Sequence, residues 1–227
     1  MSYFGSKAAS GLYQKIIAEM PPHDVYIETH LGGGAIMLRK PPARRNIGID
    51  IDIEALKNFA FTHQLSNVNL INRDAVDYLN MFDFVSAGRV LIYSDPPYLH
   101  ETRTSNTRYR YEYTIADHDR LLSCLVSLPD NVSVILSGYP SQFYDERLPG
   151  WRSKEFQAMT RGGVRTEKIW MNYQGGKAYC HKFAGKDYND RARIKRKVAR
   201  WRAKYAALPS AERLAIMVAL NEVDAEI

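Results

Sequence analysis

The chain has 227 residues, of which 45% are hydrophobic and 25% charged, and its formal net charge is +6. That length and apolar content predict one domain of ordinary size with an appendage. No stretch resembles a signal peptide or a membrane span, and Cys124 and Cys180 lack metal-like or redox spacing. We therefore expect a cytoplasmic protein with no membrane contact and no structural metal.

Short apolar runs alternate with helical patterns along the first 140 residues. The predicted strands cover residues 25–27, 47–49, 68–71, 90–93 and 132–136, and the predicted helices cover 10–19, 34–39, 53–64, 74–82 and 117–127. This alternation predicts an α/β fold with a parallel sheet. Two further strands, at 155–159 and 168–171, are joined by a hairpin-like turn at 160–163. The sequence therefore predicts a seven-stranded mixed sheet.

The first strand leads into a glycine-rich turn, in which Glu28 is followed by Gly32, Gly33 and Gly34. Glycines between a strand and a helix let the backbone approach a ligand closely. No Gly-Lys-Ser/Thr follows, so this is not a phosphate loop, and Glu28 favours a cationic amino group. The alternative is a tight connection with no ligand.

Acidic residues end the next two strands. Asp50, with Asp52 as second choice, occupies a position that commonly binds ribose hydroxyls, and Asp74 is a candidate acceptor for an adenine amino group. The carboxyl ends of parallel strands share one crevice, so these acids should lie together. Such a site fits a nucleoside with a cationic amino-acid tail and no phosphate, and S-adenosylmethionine is such a molecule.

The fourth strand ends in Asp95-Pro96-Pro97-Tyr98. Two prolines stop the strand and remove backbone donors, which leaves a rigid loop with a carboxylate, free carbonyls and an aromatic face. Asp95 and the Pro96 carbonyl can each accept one N–H of an exocyclic amine, while Tyr98 can stack on its ring. A plain strand-ending turn is the alternative.

In this order, the motifs resemble those of the adenine-N6 DNA methyltransferases of the Dam-like (D12) class. The matching segments are 3–7 (similar to Y-x-G-G-K), 28–34 (E-P-F-x-G-G-G), 48–56, 95–98 (D-P-P-Y), 134–137 and 168–173, so the resemblance covers about residues 3–175. Ser6 replaces a glycine of the family, and Thr29-His30 replace its Pro-Phe, which makes the wall near the methyl group more polar.

The resemblance implies a class I S-adenosylmethionine-dependent methyltransferase fold, which is Rossmann-like. It adds Tyr3 and Lys7 to the candidate cofactor contacts, which are then Tyr3, Lys7, Glu28, Gly32, Gly33, Gly34, Asp50 and Asp74. Family members flip the target adenine out of the DNA helix. Asp95 and the Pro96 carbonyl would then accept both N6 hydrogens, and Tyr98 would hold the ring.

Residues 99–115 replace the separate recognition domain of the family. This segment interleaves basic and aromatic residues, which suits phosphate contacts and base stacking. The candidate contacts are Arg103, Arg108, Arg110 and Tyr111, with Arg161 and Arg165 on the predicted hairpin. A recognition segment this short offers few side chains for base contacts, which predicts relaxed sequence specificity. The alternative is a lid unrelated to nucleic acid.

The excess positive charge lies in residues 191–204, which hold eight basic groups; the remaining chain has 23 basic and 25 acidic residues. Apolar residues at helical spacing, followed by Pro209-Ser210, predict two helices. We expect a catalytic domain at 1–183, a linker at 184–190 and a basic helical hairpin at 191–227. Its candidate nucleic-acid contacts are Arg193, Lys195, Arg196, Lys197 and Arg200. Solubility or dimerisation is the alternative role of this hairpin.

The sequence therefore predicts an enzyme that transfers a methyl group from S-adenosylmethionine to N6 of adenine in DNA. The same chemistry on RNA or single-stranded nucleic acid is an alternative. A non-catalytic nucleic-acid-binding protein is an alternative of another class. The resemblance implies a bacterial or bacteriophage origin.

Overall fold

The computed structural model describes residues 7, 11–102, 110–160, 163–176, 179–185 and 187–226. The chain divides into two compact units, one ending at Cys180 and one beginning at His181. Four of the predicted site residues, Tyr3, Arg103, Arg108 and Arg161, lie outside the described residues.

The first unit is built on seven strands, which are β1 Val25–Glu28, β2 Arg45–Asp50, β3 Val68–Asn72, β4 Val90–Ser94, β5 Val132–Gly138, β6 Arg152–Thr160 and β7 Gly163–Met171. They form one sheet in the order β3-β2-β1-β4-β5-β7-β6. Strands β1 to β5 pair in parallel, whereas β7 runs antiparallel to both β5 and β6. This confirms the predicted mixed sheet, and the arrangement is that of the class I methyltransferase fold.

Five helices of the first unit connect or flank these strands: α1 Leu12–Glu19, α2 Ile53–His63, α3 Ala75–Met81, α4 Ile115–Val126 and α5 Gln142–Arg147. The sequence did not predict α5. The helix predicted at 34–39 is wrong, because the chain there forms only turns. Gly34 has a left-handed φ of 60°, and Pro41 follows Lys40, so too few residues with helical backbone remain for a helix.

The centre of the sheet is buried on both faces. Ile27, Ile92 and Val134 share one face of the parallel strands, and Tyr26, Leu91 and Ile135 share the other. None of these side chains has exposed surface. Parallel strands covered by helices on both sides read as continuous apolar runs, which explains why the sequence predicted them. A rigid sheet centre of this kind holds the strand ends in place for the site.

Acidic side chains begin two helices at the carboxyl edge of the sheet. The Asp52 carboxylate accepts from the Glu54 amide at 3.0 Å and caps α2. The Asp74 carboxylate accepts from the amides of Val76 and Asp77 at 2.9 and 3.1 Å and caps α3. Capping satisfies amides that have no partner within the helix, so these acids have a structural role.

The second unit contains α6 Tyr188–Ala206 and α7 Ser210–Glu226, which confirms the two predicted helices. Helix α6 begins inside the range predicted as a linker, because Asp187 caps it by accepting from the Asp190 amide at 2.8 Å. The Tyr205 hydroxyl donates to the Arg213 carbonyl at 2.8 Å and ties the two helices together. In the described parts of the chain, no helix is both long and apolar enough to cross a membrane.

Candidate active site

A cleft opens at the carboxyl edge of the parallel strands. It holds about 480 Å³ of space free of protein atoms, including solvent at its mouth. Its lining residues are His30, Gly32, Asp50, Ile51, Asp52, Asp95, Pro97, Arg110, Tyr111 and Tyr113. The fold therefore brings together the glycine-rich turn, the end of β2, the Asp95 loop and the end of segment 99–115.

Asp50 lies at the end of β2 with its carboxylate held by two backbone amides. Its two oxygens accept from Gly32 N at 2.8 Å and from Asp52 N at 2.9 Å. Burial raises the pKa of Asp50 above its usual range, although these amide hydrogen bonds oppose the shift. A carboxylate oxygen can accept more than one hydrogen bond, so Asp50 can still take hydroxyl donors from the cleft.

Glu28 is 3% exposed and is not among the described residues that line the cleft. Its carboxylate accepts from the Tyr26 hydroxyl and the Met37 amide, each at 2.9 Å. Burial raises the pKa of Glu28 to about 8. Its predicted contact with a cationic amino group stays a prediction.

Gly34 is explained by packing. A side-chain carbon at this position would lie 2.2 Å from an atom of the Phe59 ring on α2, which is far too close. Neither Gly34 nor Gly33 is among the described residues of the cleft lining, whereas Gly32 is. The glycine-rich turn therefore serves helix packing as well as the cleft.

The acids that cap α2 and α3 both pair with arginines. Asp52 lines the cleft and accepts from Arg110 at 3.0 Å. Asp74 forms an ion pair with Arg120 and is not among the described lining residues. Its predicted role at an adenine amino group stays a prediction, whereas Asp52 stands beside Asp50 in the cleft.

Asp95 belongs to a buried cluster of charged and phenolic groups. The Lys7 ammonium donates to Asp95 at 2.7 Å and also to the Tyr98 hydroxyl. The Tyr98 hydroxyl in turn donates to Glu167 at 2.8 Å, and the Lys7 ammonium lies 3.7 Å from the same Glu167 oxygen. Burial raises the pKa of Asp95, Lys7 opposes this, and the Glu167 charge adds to it. The cluster therefore holds the Asp95 carboxylate firmly at the cleft.

The Tyr98 ring is 7% exposed and has close neighbours. The Lys7 ammonium lies 4.8 Å from its centre, and the Tyr139 ring meets it edge-on with a 4.4 Å centroid distance. Arg165 lies over the Tyr139 ring at 5.7 Å. Stacking of Tyr98 on a target base, and nucleic-acid contact by Arg165, stay predictions.

His30, on the polar wall that the sequence predicted, joins two sides of the cleft. One ring nitrogen is hydrogen-bonded to the Thr29 hydroxyl and the other to the Tyr113 hydroxyl, each at 2.9 Å. Burial lowers the pKa of His30 to about 3, so the ring is neutral near pH 7. The His30–Tyr113 hydrogen bond joins segment 110–113 to the glycine-rich turn, and the Arg110–Asp52 ion pair joins it to the start of α2.

The candidate contacts on α6, Arg193, Lys195, Arg196, Lys197 and Arg200, are all exposed. Arg193 also pairs with Asp190 at 2.8 Å. Across the described ranges, no group of three or more His, Cys, Asp or Glu side chains is placed to hold a metal ion.

Sequence reasoning missed Tyr139 and Glu167, and it treated Tyr113 only as one of the aromatic residues of segment 99–115. Glu167 had a sequence signal, because it is a charged residue directly before the predicted strand at 168–171. Tyr139 had none, because an aromatic residue in a loop is common and its partners are distant in sequence.

No protein-family model and no curated protein matches the sequence. Among solved structures, precorrin 8W decarboxylase of Methanobacterium thermoautotrophicum has a TM-score of 0.48 and 15% identity, over 73% of this chain and 91% of that one. A SAM-dependent methyltransferase of Agrobacterium tumefaciens has a TM-score of 0.47 and 13% identity, over 71% of this chain and 60% of that one. An rRNA methylase of Streptococcus thermophilus has a TM-score of 0.45 and 12% identity, over 70% of this chain and 93% of that one. Similarity this low assigns no activity, and it is the strand order itself that identifies the fold.

Proposed function

We propose that this protein is an S-adenosylmethionine-dependent methyltransferase that acts on the N6 amino group of adenine in DNA. The observation that carries the proposal is the position of Asp95. It ends β4 at the same cleft as Asp50, and two prolines follow it. An amine acceptor and a ribose acceptor thus lie in one cleft.

The charges of the cleft fit this cofactor. Its described lining has three carboxylates, Asp50, Asp52 and Asp95, and one cation, Arg110, which pairs with Asp52. An acidic cleft favours hydroxyl donors and a cationic tail and disfavours phosphate. When bound, S-adenosylmethionine supplies a methyl group on a positively charged sulfur. Asp50 would accept from the ribose hydroxyls.

Asp95 and the Pro96 carbonyl would act on the acceptor amine. Each accepts one N6 hydrogen, which localises the nitrogen lone pair and directs it at the methyl carbon. Bound S-adenosylmethionine would supply the methyl group and would leave as the thioether with the carbon–sulfur electron pair. Asp95 would take up the N6 proton that the new carbon–nitrogen bond displaces and would release it to solvent. Positioning and electrostatics suffice for this chemistry, and Lys7 supports both by holding Asp95.

The choice of DNA rests on the motif resemblance and on basic surface. Arg110 and Tyr111 line the cleft and are both exposed, although Arg110 also pairs with Asp52. Helix α6 exposes a run of basic residues. Cations and aromatic rings bind phosphates and bases in any nucleic acid. RNA is therefore the rival substrate, and only a direct comparison of substrates separates the two.

The test is methyl transfer from radiolabelled S-adenosylmethionine to duplex DNA, single-stranded DNA and RNA of matched sequence. Digestion to nucleosides should place the label in N6-methyladenine from duplex DNA. Label in RNA alone would move the proposal to RNA, and label in cytosine would refute the adenine assignment. Binding to all three without any transfer would favour the non-catalytic alternative.

Sequence specificity should be relaxed, because residues 99–115 offer few side chains for reading base edges. Methylated adenines mapped in DNA after expression should occur in many contexts, or in a site of about two or three bases. A strict site of four or more bases would contradict this expectation.

A further inference from the structure

We propose that Glu167 is a positioning residue for the proposed methyl transfer, since it fixes the pair of side chains that hold Asp95. The inference rests on the proposed function. Glu167 lies on β7, far from the four-residue motif in sequence, and belongs to none of the motifs that carry the resemblance.

The contacts define what Glu167 does. Its carboxylate accepts from the Tyr98 hydroxyl at 2.8 Å and lies 3.7 Å from the Lys7 ammonium. Lys7 is the group that donates to Asp95 at 2.7 Å. Glu167 is 7% exposed and Lys7 is 5% exposed, so water has little access to replace either partner. Glu167 therefore belongs to the cluster through its contacts with Tyr98 and Lys7.

The physical argument concerns the freedom of Lys7 and Tyr98. A lysine side chain is long and its ammonium can donate in several directions, so one acceptor does not define its position. The ammonium donates to Asp95 and to the Tyr98 hydroxyl, and its ion pair with Glu167 at 3.7 Å adds a third constraint on its position. The Tyr98 hydroxyl accepts from Lys7 and donates to Glu167, which fixes the rotation of that hydroxyl.

Displacement of such a support affects the reaction through geometry. A displacement of a reacting group by about 1 Å can reduce a rate by about 100-fold. Loss of a side chain that orients a functional group commonly lowers activity by about 10- to 100-fold. Removal of Glu167 should let Lys7 and Tyr98 move and should misplace the Asp95 carboxylate. Glutamine keeps an acceptor oxygen in the same place, so it should preserve most of the geometry without the charge.

The experiment compares Glu167→Ala, Glu167→Gln and the control Glu155→Gln with the wild-type protein. Glu155 is an exposed glutamate on β6, next to β7, and takes no part in the cleft. All four proteins are tested for thermal unfolding, for S-adenosylmethionine affinity by calorimetry, and for kcat and KM of methyl transfer. A Tyr98→Phe variant, alone and with Glu167→Ala, shows whether the two residues act as one unit.

We expect Glu167→Ala to lower kcat by about 10- to 100-fold with cofactor affinity within about threefold of wild type. Glu167→Gln should retain at least about a fifth of kcat, and the double variant should lose little more than the worse single variant. A wild-type kcat for Glu167→Ala, or equal losses for alanine and glutamine, would overturn the inference. An inactive wild-type protein would instead refute the proposed function, and the affinity measurement separates these cases.

Discussion

The cleft of the first unit and helix α6 of the second unit are both rich in charged residues, but these residues differ in burial and in their partners. At the cleft, Asp50, Asp95 and Glu167 are largely buried, and each has a specific hydrogen-bond partner. Helix α6 has no buried residue, and all of its basic residues except the half-buried Arg191 are exposed. The two regions therefore use charge for different purposes.

Burial explains the difference. A buried charge is costly without a partner, so its position is tightly defined and small changes have large effects. An exposed charge is screened by salt and water, so it acts through the summed field of many groups. We expect single substitutions to matter at the cleft and only multiple substitutions to matter on α6.

The largest effect is expected for Asp95→Ala. Loss of the amine acceptor should lower kcat by roughly 10³-fold, while S-adenosylmethionine affinity changes by less than about tenfold. Steady-state kinetics and calorimetry check this, with Asp119→Ala as the control, because Asp119 is a half-buried acid that pairs with Arg147 and is not among the described cleft residues. A variant that kept a tenth of the activity would contradict the role of Asp95.

Asp50→Ala should affect binding more than turnover. The loss of a charge-assisted hydrogen bond to the ribose should weaken S-adenosylmethionine binding by about 1–3 kcal/mol. Calorimetry on Asp50→Ala and on Asp52→Ala separates the two neighbouring acids. Unchanged affinity in the first variant and weakened affinity in the second would transfer the ribose role to Asp52.

On α6, three substitutions together should reduce non-specific DNA binding. The variant Lys195→Gln/Lys197→Gln/Arg200→Gln should lower the salt dependence of log K by up to roughly 0.9 for each DNA phosphate that the helix no longer neutralises. The control removes three exposed cations of the first unit, Lys57, Arg89 and Lys154, and should change the slope less. Equal slopes for both variants would show that α6 has no special part in binding.

An effect on stability rather than on activity concerns Glu28, whose pKa is raised by burial from 4.5 to about 8. Above pH 4.5 the unfolded chain releases a proton that the folded protein retains, so stability should fall as pH rises toward 8. Glu28→Gln should flatten this fall, which amounts to at most roughly 1.4 kcal/mol per pH unit. Urea unfolding at several pH values measures it, with exposed Glu54→Gln as control. Parallel curves for wild type and Glu28→Gln would show that Glu28 titrates normally.

The sequence by itself determined the strands and most helices of this protein. Buried parallel strands such as β1, β4 and β5 are continuous apolar runs, and these are visible without the structure. It also predicted one crevice for the acids that end neighbouring parallel strands; of these, Asp50 and Asp52 line the cleft, whereas Asp74 is not among its described lining residues. The predicted helix at 34–39 does not form, because the left-handed backbone of Gly34 and the Pro41-Pro42 pair both interrupt helical backbone and the apolar pattern between them is short.

Only the tertiary structure decided which partner each polar group has. Lys7 and Asp95 are 88 positions apart, and Tyr98 and Glu167 are 69 apart, so no local pattern could pair them. Asp74 resembled Asp50 in sequence, yet its carboxylate caps α3 and pairs with Arg120. Hydrogen bonds depend on distances of a few tenths of an ångström, and the packing of the whole sheet sets those distances.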